Sequence, residues 1–143
     1  MNVEAILNRK GREVIKISAD ATLQQLAERL HEHRIGAVVV ADASGEMVGI
    51  ISERDVVRAI ATSGPAALKL AVHAAMTTHV TSCDASDSLE EIMTVMTRKR
   101  IRHLPVTHQG RIVGIVSIGD VVKQRLDEQD QEIGMWRELF TPR

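Results

Sequence analysis

Cysteine and aromatic side chains are almost absent from this chain. Among 143 residues there is one cysteine, Cys83, one tryptophan, one phenylalanine and no tyrosine. A single thiol excludes an intramolecular disulfide and a metal site built from several cysteines. The lack of rings removes the stacking platforms on which single-stranded nucleic acid is usually held. Neither sign of charge dominates, with 18 Lys and Arg against 19 Asp and Glu, so nothing global favours nucleic acid or an anionic membrane as a partner. No run approaches the ~18 uninterrupted apolar residues of a membrane-spanning helix. Met1–Ala5 has neither the basic nor the apolar region of a secretory signal. The expectation is a soluble cytoplasmic protein, long enough to bury most of its apolar surface as one domain or two small ones.

Catalytic signatures are missing too. There is no Walker loop, no G-x-G-x-x-G and no G-x-S-x-G. His31 and His33 stand two apart on a predicted helix and point in different directions. His73 and His79 are isolated, and Cys83 has no histidine at a recognisable spacing, which favours a structural thiol. No catalytic residue and no metal ligand is therefore expected.

What the chain does contain is written twice. Gly49-Ile-Ile-Ser-Glu-Arg-Asp55 returns as Gly114-Ile-Val-Ser-Ile-Gly-Asp120, a shift of 65. The apolar pair reads as the end of a buried strand. The serine reads as a helix N-cap, and the aspartate three residues on sits at the positive end of the helix dipole. Ser-x-x-Asp is first of all an ordinary capping box. A helix start with free N–H groups and a hydroxyl also suits anions and polyols. Because an aspartate repels phosphate, a pair of ribose hydroxyls fits that position better.

The surrounding order repeats as well. Val3, Ile6 and Leu7 suit a short helix ended by Lys10-Gly11, and Val14–Ile17 a strand. Thr22-x-x-Gln25 is a capping box ahead of Leu23, Leu26, Ala27 and Leu30, which predicts a helix to about His33. Ala37–Val40 and Met47–Ile51 form a hairpin around Asp42–Gly45, and a helix starts near Glu53. Thr62-Ser-Gly-Pro65 reads as a linker. Leu68, Val72 and Met76 then suggest a lead-in helix and Val80-Thr81 a strand. Ser88-x-x-Glu91 opens a helix carrying Leu89, Ile92, Met93 and Met96. A hairpin turns at His108–Gly110, and a last helix begins near Ile118. An internal repeat of this size outranks any local motif. The expected fold class is α+β, two β-α-β-β-α repeats spanning 1–63 and 68–127, joined by 64–67 and followed by a helical tail, 128–143. Ile133, Trp136 and Phe140 continue the helical spacing of Val122 and Leu126, either to cover the domain's own core or to face a partner.

One cluster is cationic, Arg98-Lys-Arg100-Ile-Arg102-His103. The first three suit a helix C-terminus, whereas Arg102 and His103 lie at the start of a strand where the first copy has Gly36 and Ala37. One repeat thus offers an open turn and the other a charged one.

The doubled motif, the order of elements and the length of nearly the whole region from Val3 to Leu126 resemble a stand-alone tandem CBS-domain pair, the Bateman module. That resemblance implies two repeats packed about a pseudo-two-fold axis, with clefts between them for adenosine-containing ligands: AMP, ADP, ATP, NAD or S-adenosylmethionine. Carried onto this chain, it makes Asp55 and Asp120 the ribose-binding residues, with Ser52 and Ser117 beside ribose or phosphate. Backbone at Val14, Thr78 and Val80 meets the adenine edge, and Ile35-Gly36-Ala37 and Ile101-Arg102-His103 line base and phosphates. Arg102, His103 and Arg54 would read phosphate beside Asp55, with Lys10 and Arg12 as substitutes at the other cleft. The resemblance further implies a regulatory module without chemistry of its own, usually a homodimer through its helices, whose regulated partner is on another chain. A structural adaptor with empty clefts, and an enzyme working in the cleft, are the alternatives.

Overall fold

The computed structural model describes residues 1–140. Its elements are α1 (Val3–Lys10), β1 (Lys16–Ser18), α2 (Leu23–His33), β2 (Ala37–Ala41), β3 (Met47–Ser52), α3 (Glu53–Ser63), β4 (Cys83–Asp84), α4 (Leu89–Lys99), β5 (His103–His108), β6 (Arg111–Ser117) and α5 (Ile118–Phe140). Strand order is β1-β2-β3 in one three-stranded sheet and β4-β5-β6 in the other. In each sheet the outer pair is parallel and the hairpin pair antiparallel. This is the α+β repeat expected from the doubled sequence.

Two compact units result, and they do not follow the order of repeats along the chain. One is Val14–Thr81; the other combines Met1–Glu13 with Ser82 onward. The cause lies in the lead-in segments. Val72 N–H donates to Ala21 O at 2.7 Å, and Val3 N–H donates to Asp87 O at 3.0 Å. Ala21 and Asp87 are repeat counterparts at a shift of 66, just before the capped starts of α2 and α4. So the segment ahead of the second repeat docks on the first repeat's helix start, and α1 docks on the second's. Thr62–Pro65 is no free linker: α3 runs through Ser63, and a 3-10 helix, Gly64–Lys69, follows at once. The lead-in helix expected at 68–76 is replaced by that turn and a second 3-10 turn, Val72–Ala74. Pro65 at its first positions and backbone bonds to residues 19–23 favour short turns over an α-helix there.

Each unit has its own core. Val14–Thr81 packs Ile17, Leu23, Leu26, Val38, Val40, Ile51 and Val72 together. The other unit packs Val3, Ile6 and Leu7 of α1 against Leu89, Ile92, Met96, Leu104, Val106, Val116 and Val121. Full burial of a side chain such as Leu7 or Val72 contributes about 1.5–3 kcal/mol, which holds the lead-ins in place. The motif glycines make room for them. A Cβ on Gly49 would lie 2.8 Å from both Met76 Sδ and Thr77 O, and one on Gly114 would lie 2.6 Å from Leu7 Cδ2.

Strand limits shift slightly from expectation. The first begins at Lys16 rather than Val14, and the fourth is Cys83–Asp84 rather than Val80-Thr81, because only those residues find parallel partners on β2 and β5. Helix α5 is continuous to Phe140. Everything from Gln129 to Phe140 is exposed, so the tail does not cover the core of its own unit.

Candidate functional site

The two strand-to-helix corners are built alike. Ser52 and Ser117 close β3 and β6, each paired with the first residue of the hairpin's other strand, Ala37 and His103. The helix then starts against the preceding turn: Glu53 N–H donates to Gly36 O at 2.9 Å, and Ile118 N–H to Arg102 O at 2.8 Å. The structure therefore brings Ile35-Gly36-Ala37 to Ser52–Asp55, and Ile101-Arg102-His103 to Ser117–Asp120. Both turns leave their helix through an arginine in the left-handed region, Arg34 at φ 54° and Arg100 at φ 53°. That reversal drops the chain from helix to strand within two residues.

At the first corner the Ser52 N–H donates to Asp55 Oδ2 at 2.8 Å, and Ser52 Oγ donates to the same oxygen at 3.3 Å. Asp55 Oδ1 meets Arg58 Nη1 at 3.2 Å. The Asp55 side chain keeps 12 % of its surface open while Arg58 is 74 % exposed. Arg54 points to solvent beside it.

The second corner is closed more firmly. Ser117 N–H donates to Asp120 Oδ2 at 2.9 Å, and Asp120 N–H donates to Ser117 Oγ at 3.1 Å, a reciprocal capping box. Lys10, at the end of α1, adds Nζ to the same carboxylate oxygen at 2.7 Å and to Ile115 O at 3.0 Å. Partial burial pushes the Asp120 carboxyl up, but the Lys10 ammonium and the Ser117 donors outweigh it, and its pKa ends below the ordinary value. The family resemblance names Lys10 as a phosphate cation for this cleft; the structure sets it on the Asp120 carboxylate itself, because α1 packs on the second repeat. Arg12 instead pairs with Glu4 and with Asn8, the latter at 2.7 Å. The docking offset between lead-ins, Leu7 under Gly114 and Met76 over Gly49, makes His79 the counterpart of Lys10. His79 Nδ1 lies 3.3 Å from Thr78 Oγ1.

Thr78 and Val80 belong to the segment that follows the antiparallel bridge between Thr77 and Ile50 of β3. Val14 lies two residues before β1, half-buried. A hollow of about 860 Å³ lies along α2 and α3 and takes in Ile35, Gly36 and Glu53 but not Ser52 or Asp55. It is an apolar helix-side groove rather than a pocket around the carboxylate.

Other polar groups form no reactive set. Burial first, and then Asp87 and Asp84, push the Cys83 thiol up to about 12, so it stays protonated and a poor nucleophile at neutral pH. Among the described residues no group of His, Cys, Asp and Glu is arranged to hold a metal ion. Nor is any described helix long and apolar enough to cross a membrane.

With that geometry in view, the CBS-domain family model matches twice, over residues 3–62 and 72–127. The chain belongs to the CBS-domain family. A CBS-domain containing protein of Agrobacterium tumefaciens shares 47 % identity and a TM-score of 0.85, over 87 % of this chain and 92 % of that one. The CBS domain-containing protein YhcV of Bacillus subtilis is 28 % identical over 117 residues, 82 % of either chain. The CBS domain pair of protein MJ0100, solved with 5-methylthioadenosine and S-adenosyl-L-methionine, is 25 % identical with a TM-score of 0.77, over 87 % of this chain and 98 % of that one. In this chain both CBS repeats keep the Ser-x-x-Asp corner.

Proposed function

We propose that this CBS pair is a regulatory module that binds an adenosine-containing ligand, AMP, ADP, ATP, NAD or S-adenosylmethionine, and has no catalysis of its own. The observation that carries the reading is the Asp55 corner. There a carboxylate is fixed by the Ser52 backbone at the start of α3, largely buried yet with its second oxygen engaged by the exposed Arg58. A charged acceptor held in that way suits two adjacent ribose hydroxyls, each a hydrogen-bond donor. The ligands held by the MJ0100 pair are of the same adenosine class. The turn at Gly36-Ala37 lies against this corner, and Arg54, exposed beside Asp55, supplies a cation for a phosphate, as Arg102 and His103 do at the turn of the Asp120 corner.

The two corners are not equivalent in this reading. Asp120 is already engaged by Lys10, so a ligand there displaces the ammonium or recruits it to a phosphate. The Asp55 corner therefore fills first. Regulation follows if the ligand favours one arrangement of a homodimer that a partner on another chain reads.

Thermal shift with each of the five ligands, on protein shown by mass spectrometry to be ligand-free, tests the proposal. At about 100 times its dissociation constant a ligand adds ~2.7 kcal/mol of stability. No shift with any of them removes the sensing function and leaves a structural adaptor.

A further inference from the structure

The family match ends at residue 127, yet α5 continues to Phe140. Every residue of this extension from Gln129 is exposed. A water-surrounded helix of this length is marginal, and Gly134 within it weakens it by about 1 kcal/mol relative to alanine. Its apolar content is nevertheless high. Ile133 is 50 % exposed, Trp136 55 % and Phe140 73 %, the last two stacked with centroids 5.2 Å apart.

The spacing of the exposed residues is specific. Val122, Leu126, Gln129, Ile133, Trp136 and Phe140 are separated alternately by four and three residues. That is the a/d seam of a two-stranded coiled coil, narrower than the stripe of a helix lying on a globular core. The seam begins on the folded body and runs off it without a break.

The charges flanking the seam select the occupant and its direction. Taking Leu126, Ile133 and Phe140 as a positions, the e positions are Lys123, Asp130 and Arg137, and the g positions are Arg125, Glu132 and Leu139. A parallel second copy places each g residue beside the e residue five positions on. Arg125 then meets Asp130 and Glu132 meets Arg137, opposite charges in both cases. An antiparallel copy that keeps the whole seam sets Lys123 beside Arg137, Asp130 beside Asp130 and Glu132 beside Glu132, all repulsive. Arg125 also pairs with Glu90, and its guanidinium has donors for a second carboxylate. Gln129 would face its own copy, where a polar seam residue holds the register.

We propose that α5 pairs with α5 of a second copy of this chain as a short, parallel, in-register coiled coil. This deepens the homodimer reading above and is independent of which nucleotide binds.

The test uses the full chain with Cys83→Ala, into which a single cysteine is placed by Gln129→Cys, Ile133→Cys or, on the outer face, Gln131→Cys. Parallel pairing brings position 129 to 129 and 133 to 133, so both variants form disulfide dimers on mild oxidation, well above the Gln131→Cys background. Cross-linking only in a mixture of the 129 and 133 variants means antiparallel pairing and overturns the proposal. Glu132→Lys should raise the dimer dissociation constant about tenfold, since the two symmetric pairs each change from attraction to repulsion. Adding Arg137→Glu should restore it; failure of that rescue also overturns the assignment. Exposed positions leave the fold intact, which the melting temperature checks. If sedimentation shows a dimer but no cross-link exceeds background, the seam is wrong and the homodimer reading stands. A monomer at all concentrations overturns both.

Discussion

Lys10 Nζ lies 2.7 Å from Asp120 Oδ2 although 110 residues separate the two in the chain. The contact exists because α1 packs on the second repeat, with Val3, Ile6 and Leu7 in that unit's core. It makes two corners of nearly the same sequence electrostatically different. Asp55 keeps a serine and an exposed arginine as partners, whereas Asp120 has a serine and a lysine.

The difference appears first in acid. The Asp120 pKa is lowered in the folded protein, so its contribution to stability is present above the ordinary carboxylate pKa and is lost as pH falls through the lowered value. In Lys10→Met the burial remains while the ammonium is gone, so the loss begins at higher pH. Carboxyl carbon shifts followed by NMR titration should show Asp120 protonating earlier in the variant. An unchanged titration would mean that the Ser117 donors alone set it.

Asp55→Asn separates capping from ligand binding. The change keeps size and loses a charge–dipole interaction of about 0.3–1 kcal/mol, so the melting temperature falls only slightly. Nucleotide affinity should fall by about 1.5–3 kcal/mol, the range for hydrogen bonds to a charged group. Calorimetry that finds affinity unaltered would leave Asp55 a helix cap and nothing more.

Arg102→Gln distinguishes phosphate reading from cleft shape. Its carbonyl accepts from Ile118 N–H, a backbone bond that glutamine retains. AMP affinity should drop by about 1.5–3 kcal/mol with the charged contact, while adenosine binds nearly as before. Equal losses for AMP and adenosine would assign Arg102 to the shape of the site.

The motif glycines predict an order of stability losses. Gly49→Ala drives a methyl against Thr77 O, which belongs to a backbone bridge and cannot turn away. Gly114→Ala meets the end of the Leu7 side chain, which has other rotamers. Overpacking of this kind costs about 1–3 kcal/mol, with Gly49→Ala the costlier. Denaturant melts of both variants check the order, and the reverse order would refute this account of the glycines.

Local and periodic information was enough for much of this protein. The capping box at Thr22, the serine N-cap at Ser88, the hairpins, the buried leucines of α2 and α4 and the doubled Ser-x-x-Asp corner depend on neighbours within a few residues. Their bonds are therefore written in the order of the chain. The repeat, read twice, gave the fold class and named both corner aspartates. What sequence order does not carry is which repeat receives each lead-in. Val3 and Val72 are both apolar and both precede a repeat, and only burial in the finished units assigns them to Asp87 and Ala21. From that assignment follow Lys10 on Asp120, Leu7 under Gly114 and the inequality of the corners. The tail divides in the same way. Its four-three spacing is a property of the sequence, but that Ile133, Trp136 and Phe140 stand in water is decided by where α5 leaves the body, because among the described residues no element passes beside it to bury them.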